Sequence, residues 1–275
     1  MTAKAQLMSA LRIVLIALLV IQLIGCKAAV NKLAFHPDNA DLPSADQLSE
    51  GVEEILIETE DGLELTSLYL PSSKSDGLVV YFHGNGGNLY RRLPSLLKLQ
   101  ELGLSVLGLS YRGYGKSEGA PSESGIYLDG EAALAVATED LGFSKDRIIL
   151  LGRSIGSTVA VELAQNKDLL GVILVTPLTN GRAMAKEIGM GWLSPLAGDA
   201  FDNLSKIESL VAPLLIIHGT EDGITPFFMG EELFDRAPDE KFFVPIQGGR
   251  HNDLHIEFEH EYWGAISEFM VELGY

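Results

Sequence analysis

A serine stands in the middle of a glycine-flanked turn, GRSIG at residues 152–156. The turn follows a short apolar run and precedes a stretch with helical periodicity, so it joins a predicted buried strand to a predicted helix. Glycine at both ends permits a sharp turn that would hold Ser154 in a strained backbone conformation with its hydroxyl exposed. The N-terminus of the following helix would favour negative charge beside the serine. This pattern predicts that Ser154 is a nucleophile.

A serine hydroxyl becomes an effective nucleophile only when a neutral imidazole can accept its proton. Of the six histidines, His251 is the best candidate because it lies in a glycine-rich loop just after the last apolar strand. His36 lies before the first predicted strand, and His260 opens the last predicted helix. His218 ends a predicted strand and is interpreted as a structural histidine. His251 is therefore the predicted base.

The imidazole in turn needs an acid that orients it. Asp222 follows the penultimate predicted strand and precedes Pro226, which can open the next helix, whereas Glu221 beside it is the alternative. The three predicted groups then occur in the order Ser154, Asp222, His251. Three groups at three strand ends are a far more specific signal than any one of them alone.

Attack on a carbonyl also requires hydrogen-bond donors for the oxyanion. The segment HGNGG at 83–87 directly follows a predicted buried strand, where its glycines let backbone N–H groups face a developing charge. The backbone amides of Asn85 and Ile155 are the predicted pair. A phosphate-binding loop is the competing interpretation, but no G-K-[ST] follows this segment. A GKS does occur at 115–117, yet Ser110 stands where a P-loop requires its first glycine.

A metal site is the other chemistry that the histidines suggest. His251 and His255 have the i, i+4 spacing around Asp253 that could bind zinc on a helix. No third ligand is evident, and Gly248 and Gly249 indicate a loop there instead of a helix. The sequence therefore predicts neither a metal nor a cofactor.

Alternating strands and helices must position these groups. Residues 53–60 and 63–70 alternate apolar and polar positions around Asp61 and Gly62, which is typical of an antiparallel hairpin. Short apolar runs typical of strands buried on both faces follow at 77–82, 105–109, 147–151, 171–176, 213–218 and 241–245. Helical periodicity lies between and after them, at 91–102, 124–141, 155–165, 227–236 and 260–273. The pattern predicts an α/β fold whose mostly parallel sheet is covered on both faces and carries its chemistry at the strands' carboxyl ends.

The first 25 residues have the layout of an export signal. Lys4 and Arg12 precede an uncharged apolar run at 13–25, a positive region followed by a short hydrophobic region. As a helix this run would reach only about 20 Å, short of the roughly 30 Å of hydrocarbon that a membrane span must cross. A signal peptide at 1–25 is therefore favoured over a permanent anchor, which is the alternative.

The apolar run ends in LIGC at 23–26, which resembles the lipobox of bacterial lipoproteins. Cys26 is the single cysteine of the chain and is the predicted lipidation site, with an incidental cysteine as the alternative. Residues 26–50 then read as a lipidated cysteine and polar tether. The resemblance implies a protein anchored by lipid to a membrane of the bacterial cell envelope. Lys27, where an aspartate would favour inner-membrane retention, points to the outer membrane facing the periplasm.

Composition excludes several classes of function. The chain has 275 residues, of which 47% are hydrophobic and 21% charged, enough for one domain with a sizeable core. Thirty-eight acidic and twenty basic residues leave a net charge of −18, which would repel the phosphates of a nucleic acid. One cysteine excludes a disulfide framework and a multi-cysteine zinc site. A monomer without a nucleic-acid partner is expected.

Residues 51–275 resemble the α/β-hydrolase-fold serine hydrolases. The resemblance rests on HGNGGN, YRGYGKSEG and GRSIGS, together with HGTEDGITP and GGRHNDL near the C-terminus. The order of the predicted nucleophile, acid and base is also that of this family. The resemblance implies Ser154 as nucleophile, Asp222 as acid, His251 as base, and Asn85 with Ile155 as oxyanion donors. The sequence departs from the pattern at Ser110, where relatives often carry aspartate, and at Arg250, where a small residue is common.

Within that family the chain is similar to a small-lidded branch of carboxylesterases, protein depalmitoylases and serine-aminopeptidase-like hydrolases. The expected reaction is cleavage of an ester or thioester in a small acyl ester or an acylated protein, without a cofactor. Residues 178–211 could form a short lid over an acyl chain or simply pack helices on the sheet. Amide hydrolysis by an aminopeptidase, acyl transfer to an alcohol, and a catalytically silent envelope-anchored binding protein are the alternatives.

Overall fold

A computed structural model describes residues 31–40, 42–193 and 198–275. The predicted signal peptide and Cys26 lie outside the described residues. In the part of the chain that is described, no helix has both the length and the apolar character needed to cross a membrane.

The strands alternate with helices and build one large sheet. The strands are β1 (His36–Pro37), β2 (Glu53–Glu58), β3 (Glu64–Leu70), β4 (Leu78–Phe82), β5 (Gly86–Gly87), β6 (Ser105–Leu109), β7 (Ile148–Arg153), β8 (Gly171–Val175), β9 (Leu214–Gly219) and β10 (Lys241–Ile246). Eight of them form the sheet in the order β10-β9-β8-β7-β4-β6-β3-β2. β2, β3 and β6 pair antiparallel, and the neighbours from β6 through β4 to β10 pair in parallel.

Helices lie between the parallel strands and after the last of them. They are α1 (Leu93–Glu101), α2 (Glu123–Ala135), α3 (Gly156–Ala164), α4 (Gly181–Glu187), α5 (Asn203–Lys206), α6 (Phe227–Arg236), α7 (Leu254–Glu257) and α8 (Glu259–Glu272). Short 3₁₀ segments occur at Ala45–Gln47, Leu89–Arg92, Lys145–Arg147, Gly191–Leu193 and Ile207–Ser209.

The core has two layers, one on each face of the sheet. Successive side chains of β4 point to opposite faces, so Val80 and Phe82 join one apolar cluster and Val79 joins the other. Helices α2, α3 and α6 contribute to the first cluster, and α1 and α8 to the second. Apolar runs such as LVVYF are fully buried because both of their faces are covered.

Strand positions agree with the predicted runs to within one or two residues, but the helix predicted at 124–141 differs from the structure. α2 ends at Ala135, and a turn of π-helix, Val136–Asp140, follows it. The Thr138 hydroxyl donates to the carbonyls of Leu134 and Ala135 at 3.0 and 3.1 Å, and so competes with the regular backbone ladder. This hydroxyl changes the backbone hydrogen bonding without changing the hydrophobic periodicity, so the periodicity could not predict the π-helical turn.

Residues 34–38, within the segment predicted to be a tether, contact the domain. Phe35 is buried, with its ring 5.9 Å from that of Phe201. β1 pairs in parallel with β5, and an Asp38 carboxylate oxygen lies 2.6 Å from Arg91. The polar composition of this stretch did not indicate that Phe35 would be buried or that β1 would pair with β5, because both depend on contacts with distant parts of the chain.

Candidate active site

The turn from β7 to α3 holds Ser154 in the left-handed region, with φ of 53°. A Cβ on Gly152 would lie 2.4 Å from the Gly156 carbonyl oxygen, and a Cβ on Gly156 would lie 2.2 Å from that of Phe82. Both are backbone contacts that cannot yield. Glycine at these two positions therefore lets helix and strand approach closely enough to hold the serine in this strained conformation, where it lines a cavity.

Replacement of Gly156 by alanine is expected to lower the free energy of unfolding by about 3 kcal/mol, because its methyl group would collide with the β4 backbone. Gly264→Ala is the matched control, since it lies within α8 and its Cβ would meet nothing within 4 Å. It should raise stability by about 0.5 to 1 kcal/mol through helix propensity. Urea unfolding measures both, and equal stabilities would contradict the close-approach argument.

The structure brings the predicted nucleophile, base and acid together in a hydrogen-bonded row. His251 Nε2 lies 3.1 Å from Ser154 Oγ, and His251 Nδ1 lies 2.7 Å from Asp222 Oδ2. All three residues are at least nine-tenths buried. In this geometry Nδ1–H donates to the carboxylate, which leaves Nε2 free to accept the serine proton.

Asp222 is held ionised by the groups around it. Its Oδ1 accepts from the backbone amides of Ile224 and Thr225 at 2.8 and 2.9 Å. Burial opposes its charge, but hydrogen bonds from His218 and His251 outweigh that effect and hold the pKa of Asp222 well below its usual range. Glu221, the alternative acid, is exposed.

Two buried side chains complete the surroundings of the acid. Thr225 Oγ1 lies 3.0 Å from Asp222 Oδ2 and 3.1 Å from His251 Nδ1. His218 Nε2 lies 2.8 Å from the Thr225 carbonyl oxygen and 3.4 Å from Asp222 Oδ2. Sequence reasoning treated His218 as merely structural and missed Thr225, although D-x-x-T is a local signal for a side-chain-capped turn.

The loop at 83–87 lies beside the serine. Ser154 Cβ is 3.4 Å from the point where a Cβ on Gly84 would be. Among the described residues, the amide N–H groups of Asn85 and Ile155 donate to no other protein group. The Asn85 side chain is fixed instead, because its Oδ1 accepts from the His36 amide at 2.7 Å. The predicted oxyanion donors are therefore free and border the same cavity as Ser154.

Arg153 holds the loop that carries His251, a contact that the sequence did not indicate. Its Nη2 donates to the carbonyl oxygen of His251 and to Asn252 Oδ1, both at 2.8 Å. Arg250, by contrast, pairs with Asp253 at 2.7 Å, so its role is to hold the loop.

The groups behind the competing interpretations have other contacts. Asp253 is engaged by Arg250, and no cluster of three potential metal ligands occurs within the described residues. Lys116 pairs with Glu54 at 2.7 Å, while the Ser117 hydroxyl donates to the Ser110 carbonyl at 2.8 Å. These contacts make the GKS segment a structural loop.

A cavity of about 760 Å³ is lined by Ser154 and His251. Segment 178–211 contributes apolar lining through Leu178, Met184, Met190 and Phe201, while Trp192 is 77% exposed. Residues 194–197 and the side chain of Leu193, within the same segment, lie outside the described part. A cavity of this size can hold a medium-sized acyl substrate.

His83, at the start of the same loop, is expected to make stability depend on pH. Burial lowers the pKa of this fully buried imidazole to about 4, from an ordinary value of 6.5. Between pH 6.5 and about 4 the unfolded chain binds a proton at this position that the folded protein does not. The contribution of His83 to stability is therefore fully present above pH 6.5 and is reduced by about 3 kcal/mol towards pH 4. Urea midpoints at pH 7 and 4.5 should converge in His83→Gln relative to wild type; an unchanged difference would contradict this assignment.

Several known proteins are similar to this chain in sequence. The family described as "Serine aminopeptidase, S33" matches residues 73–206. An uncharacterised protein of Mycobacterium tuberculosis strain H37Rv is 33% identical over 245 residues, covering 88% of this chain and 87% of that protein. The human alpha/beta hydrolase domain-containing protein 17B is 30% identical over 250 residues, covering 90% of this chain and 85% of its own.

Solved structures share the architecture. An esterase of Pyrococcus furiosus superposes with a TM-score of 0.71 at 22% identity, covering 87% of this chain and 97% of the esterase. This likeness confirms the predicted fold class, a mostly parallel α/β-hydrolase sheet with an antiparallel N-terminal hairpin. The human relative is 30% identical and covers 90% of this chain. The chain is therefore a hydrolase that belongs to the α/β-hydrolase family.

Proposed function

We propose that this hydrolase cleaves carboxylic esters or thioesters through an acyl-enzyme on Ser154. The observation that carries the proposal is the row of hydrogen bonds from Ser154 Oγ through His251 to Asp222. The strained serine backbone and the free amides beside it support the same chemistry.

In the first half-reaction Ser154 Oγ attacks the acyl carbonyl while His251 Nε2 takes its proton. The carbonyl electrons move onto the oxygen, which the amides of Asn85 and Ile155 stabilise. Collapse of this intermediate breaks the bond to the leaving alkoxide or thiolate, which receives the proton from His251. Water activated by the same imidazole then cleaves the acyl-enzyme, releasing the acid and restoring the serine.

The matched family's description makes an aminopeptidase the second candidate. Such an enzyme needs a carboxylate that holds the substrate's ammonium group. The described lining of the cavity contains no aspartate or glutamate but does contain Arg91, Arg92 and Arg153. That charge distribution favours acyl esters and thioesters over amino-terminal amines.

A fluorophosphonate probe tests the covalent proposal and a substrate panel tests its class. The probe should label Ser154, located by mass spectrometry of the digested protein. Esters of increasing acyl length and an acyl thioester should be cleaved faster than aminoacyl anilides, with acid release exceeding ester exchange in added alcohol. An unlabelled Ser154 would indicate a catalytically silent binding protein. Faster cleavage of aminoacyl anilides than of esters would indicate an aminopeptidase, and ester exchange exceeding acid release would indicate an acyltransferase.

We further propose that Cys26 is lipidated and holds the domain at a membrane of the bacterial envelope. Leu33, Ala34 and His36 line the cavity, and the stretch between Cys26 and Leu33 spans at most about 25 Å. The anchor would therefore keep the cavity close to the membrane and its acylated molecules. We also propose that residues 51–275 form a single domain and that residues 178–211 form a short lid over its cavity.

Replacement of Cys26 by alanine is expected to move the protein from the membrane fraction to the soluble fraction of a bacterial host. Several acyl chains hold a protein at a bilayer because each buried methylene adds about 0.8 kcal/mol. Lys27→Ala is the control, since it leaves the acceptor thiol in place. Unchanged partitioning of Cys26→Ala would contradict lipid anchoring.

A further inference from the structure

Two arginines beside the candidate nucleophile lack an acidic partner, although the chain carries 38 acidic residues against 20 basic ones. The other described arginines lie 2.6 to 3.9 Å from a carboxylate oxygen: Arg91, Arg112, Arg147, Arg182, Arg236 and Arg250. Within the described residues, only Arg92 and Arg153 have no such partner, and both line the cavity. Their location coincides with the site, not with the general surface.

Both guanidinium groups lie against the loop at 84–87. Arg153 Nη1 is 3.8 Å from the point that a Cβ on Gly84 would occupy, the point that Ser154 Cβ approaches to 3.4 Å. Arg92 Nη2 donates to the Gly86 carbonyl oxygen of the same loop at 2.6 Å. A group that contacts Arg153 would therefore lie near the reacting serine, and Arg92 lines the same cavity.

The protein itself leaves part of the hydrogen-bonding capacity of these arginines unused. Arg153 is 6% exposed, and only its Nη2 has a partner among the described residues. Arg92 Nε is buried without a partner in the described structure. Burial lowers the pKa of Arg92, and the positive charge of Arg153 acts in the same direction. A buried arginine and a half-buried one, both facing neutral acceptors, are the arrangement that an incoming anion stabilises.

Much of the rest of the lining is apolar, so the cavity has an apolar part and a charged part. Met184, Met190 and Phe201 offer a surface for hydrocarbon, while Arg92 and Arg153 offer charge. A simple neutral ester would use only the first. A substrate with an acyl chain and an anionic group would use both.

We propose that the natural substrate carries an anionic group, a carboxylate or a phosphate, close to its scissile acyl bond, and that Arg92 and Arg153 bind it. The inference rests on the proposed ester or thioester hydrolysis and specifies its substrate class. Guanidinium groups suit this task because their planar N–H groups match the oxygens of carboxylates and phosphates. The strongly negative remainder of the surface makes a local positive site necessary if such a substrate is to bind.

Matched esters test the proposal through a ratio. One pair is a nitrophenyl butyrate carrying a carboxylate on its ring and the same ester carrying an uncharged carboxamide there. The second pair is monobutyrylglycerol with and without a phosphate. Wild type should show a higher kcat/KM for the charged member of at least one pair, and the pair that responds identifies the anion.

Arg92→Gln and Arg153→Gln should each lower that charged-to-neutral ratio roughly tenfold, the effect of losing one charge-assisted hydrogen bond. Arg92→Lys should retain part of the preference, and Arg236→Gln, which removes an exposed arginine paired with Glu208, should retain all of it. A purely structural role in holding the loop would slow both members equally and leave the ratio unchanged. That result, or no preference in wild type, would overturn the proposal.

A binding measurement separates this proposal from the proposed reaction. Calorimetric titration with inorganic phosphate should show binding to wild-type protein and none to the double variant Arg92→Gln/Arg153→Gln, with thermal melting as the check on folding. Phosphate binding with no ester turnover would retain the anion site and refute the hydrolysis. Turnover of neutral and charged esters at one rate, without phosphate binding, would retain the proposed hydrolysis and refute the anion site.

Discussion

Alanine at position 154 should lower kcat for ester hydrolysis by about 10⁴- to 10⁶-fold, the loss typical of removing the nucleophile of a serine hydrolase. The reason is chemical: His251 Nε2, 3.1 Å from Ser154 Oγ, would have no hydroxyl to deprotonate. Stability should change little, because the substitution removes one oxygen and relieves none of the glycine contacts around it. Initial rates under saturating ester, with active enzyme normalised by concentration, measure the effect.

Ser144→Ala is the matched control for this variant. Ser144 is exposed, and its side chain makes no capping hydrogen bond at the 3₁₀ segment that it precedes. Its activity should equal that of wild type, and only Ser154→Ala should lose fluorophosphonate labelling. Equal ester turnover by Ser154→Ala and wild type would eliminate the covalent mechanism.

Asp222→Asn should lower kcat by about 10³- to 10⁴-fold while leaving the fold intact. An asparagine amide would donate to His251 Nδ1 where the carboxylate now accepts at 2.7 Å. The imidazole would then carry its proton on Nε2 and present a donor to Ser154, so it could not act as the base. Rates across a pH series measure the loss, and added alkali should not restore the wild-type value.

Glu221→Gln decides between the two acids that the sequence offered. Glu221 is exposed, so its activity should stay within about twofold of wild type, as for a surface substitution. A large loss in Glu221→Gln together with a small loss in Asp222→Asn would reverse the assignment. The two variants differ from wild type by the same chemical change at neighbouring positions, which makes the comparison direct.

Much of the fold could be predicted because its signals are local. The strands LVVYF and SVLGL are apolar throughout since both faces of a central parallel strand are covered, and the structure places them at Leu78–Phe82 and Ser105–Leu109. The serine turn was equally readable, because glycine at 152 and 156 answers a steric demand that arises within a few residues. The π-turn after α2 was not, since Thr138 changes the backbone bonding without changing the apolar pattern.

The candidate site divides in the same way. Ser154, Asp222 and His251 were selected by residue type and chain order, and their hydrogen-bonded row follows from the sheet topology that brings the ends of β7, β9 and β10 together. Thr225, His218 and Arg153 escaped because their residue types are common and their roles depend on partners distant in the chain. The contacts of Phe35 and His36 with the domain are of this second kind.

By itself, then, the chain's order of residues determined the family of folds, the turn that carries the proposed nucleophile, and the short list of groups that could act with it. Tertiary structure alone decided which neighbours keep Asp222 charged, and that Arg92 and Arg153 line the cavity without an acidic partner among the described residues. The physical reason is range. Periodicity and glycine sterics act over a few residues, whereas ionisation, burial and charge pairing depend on groups that become neighbours only when the sheet is assembled.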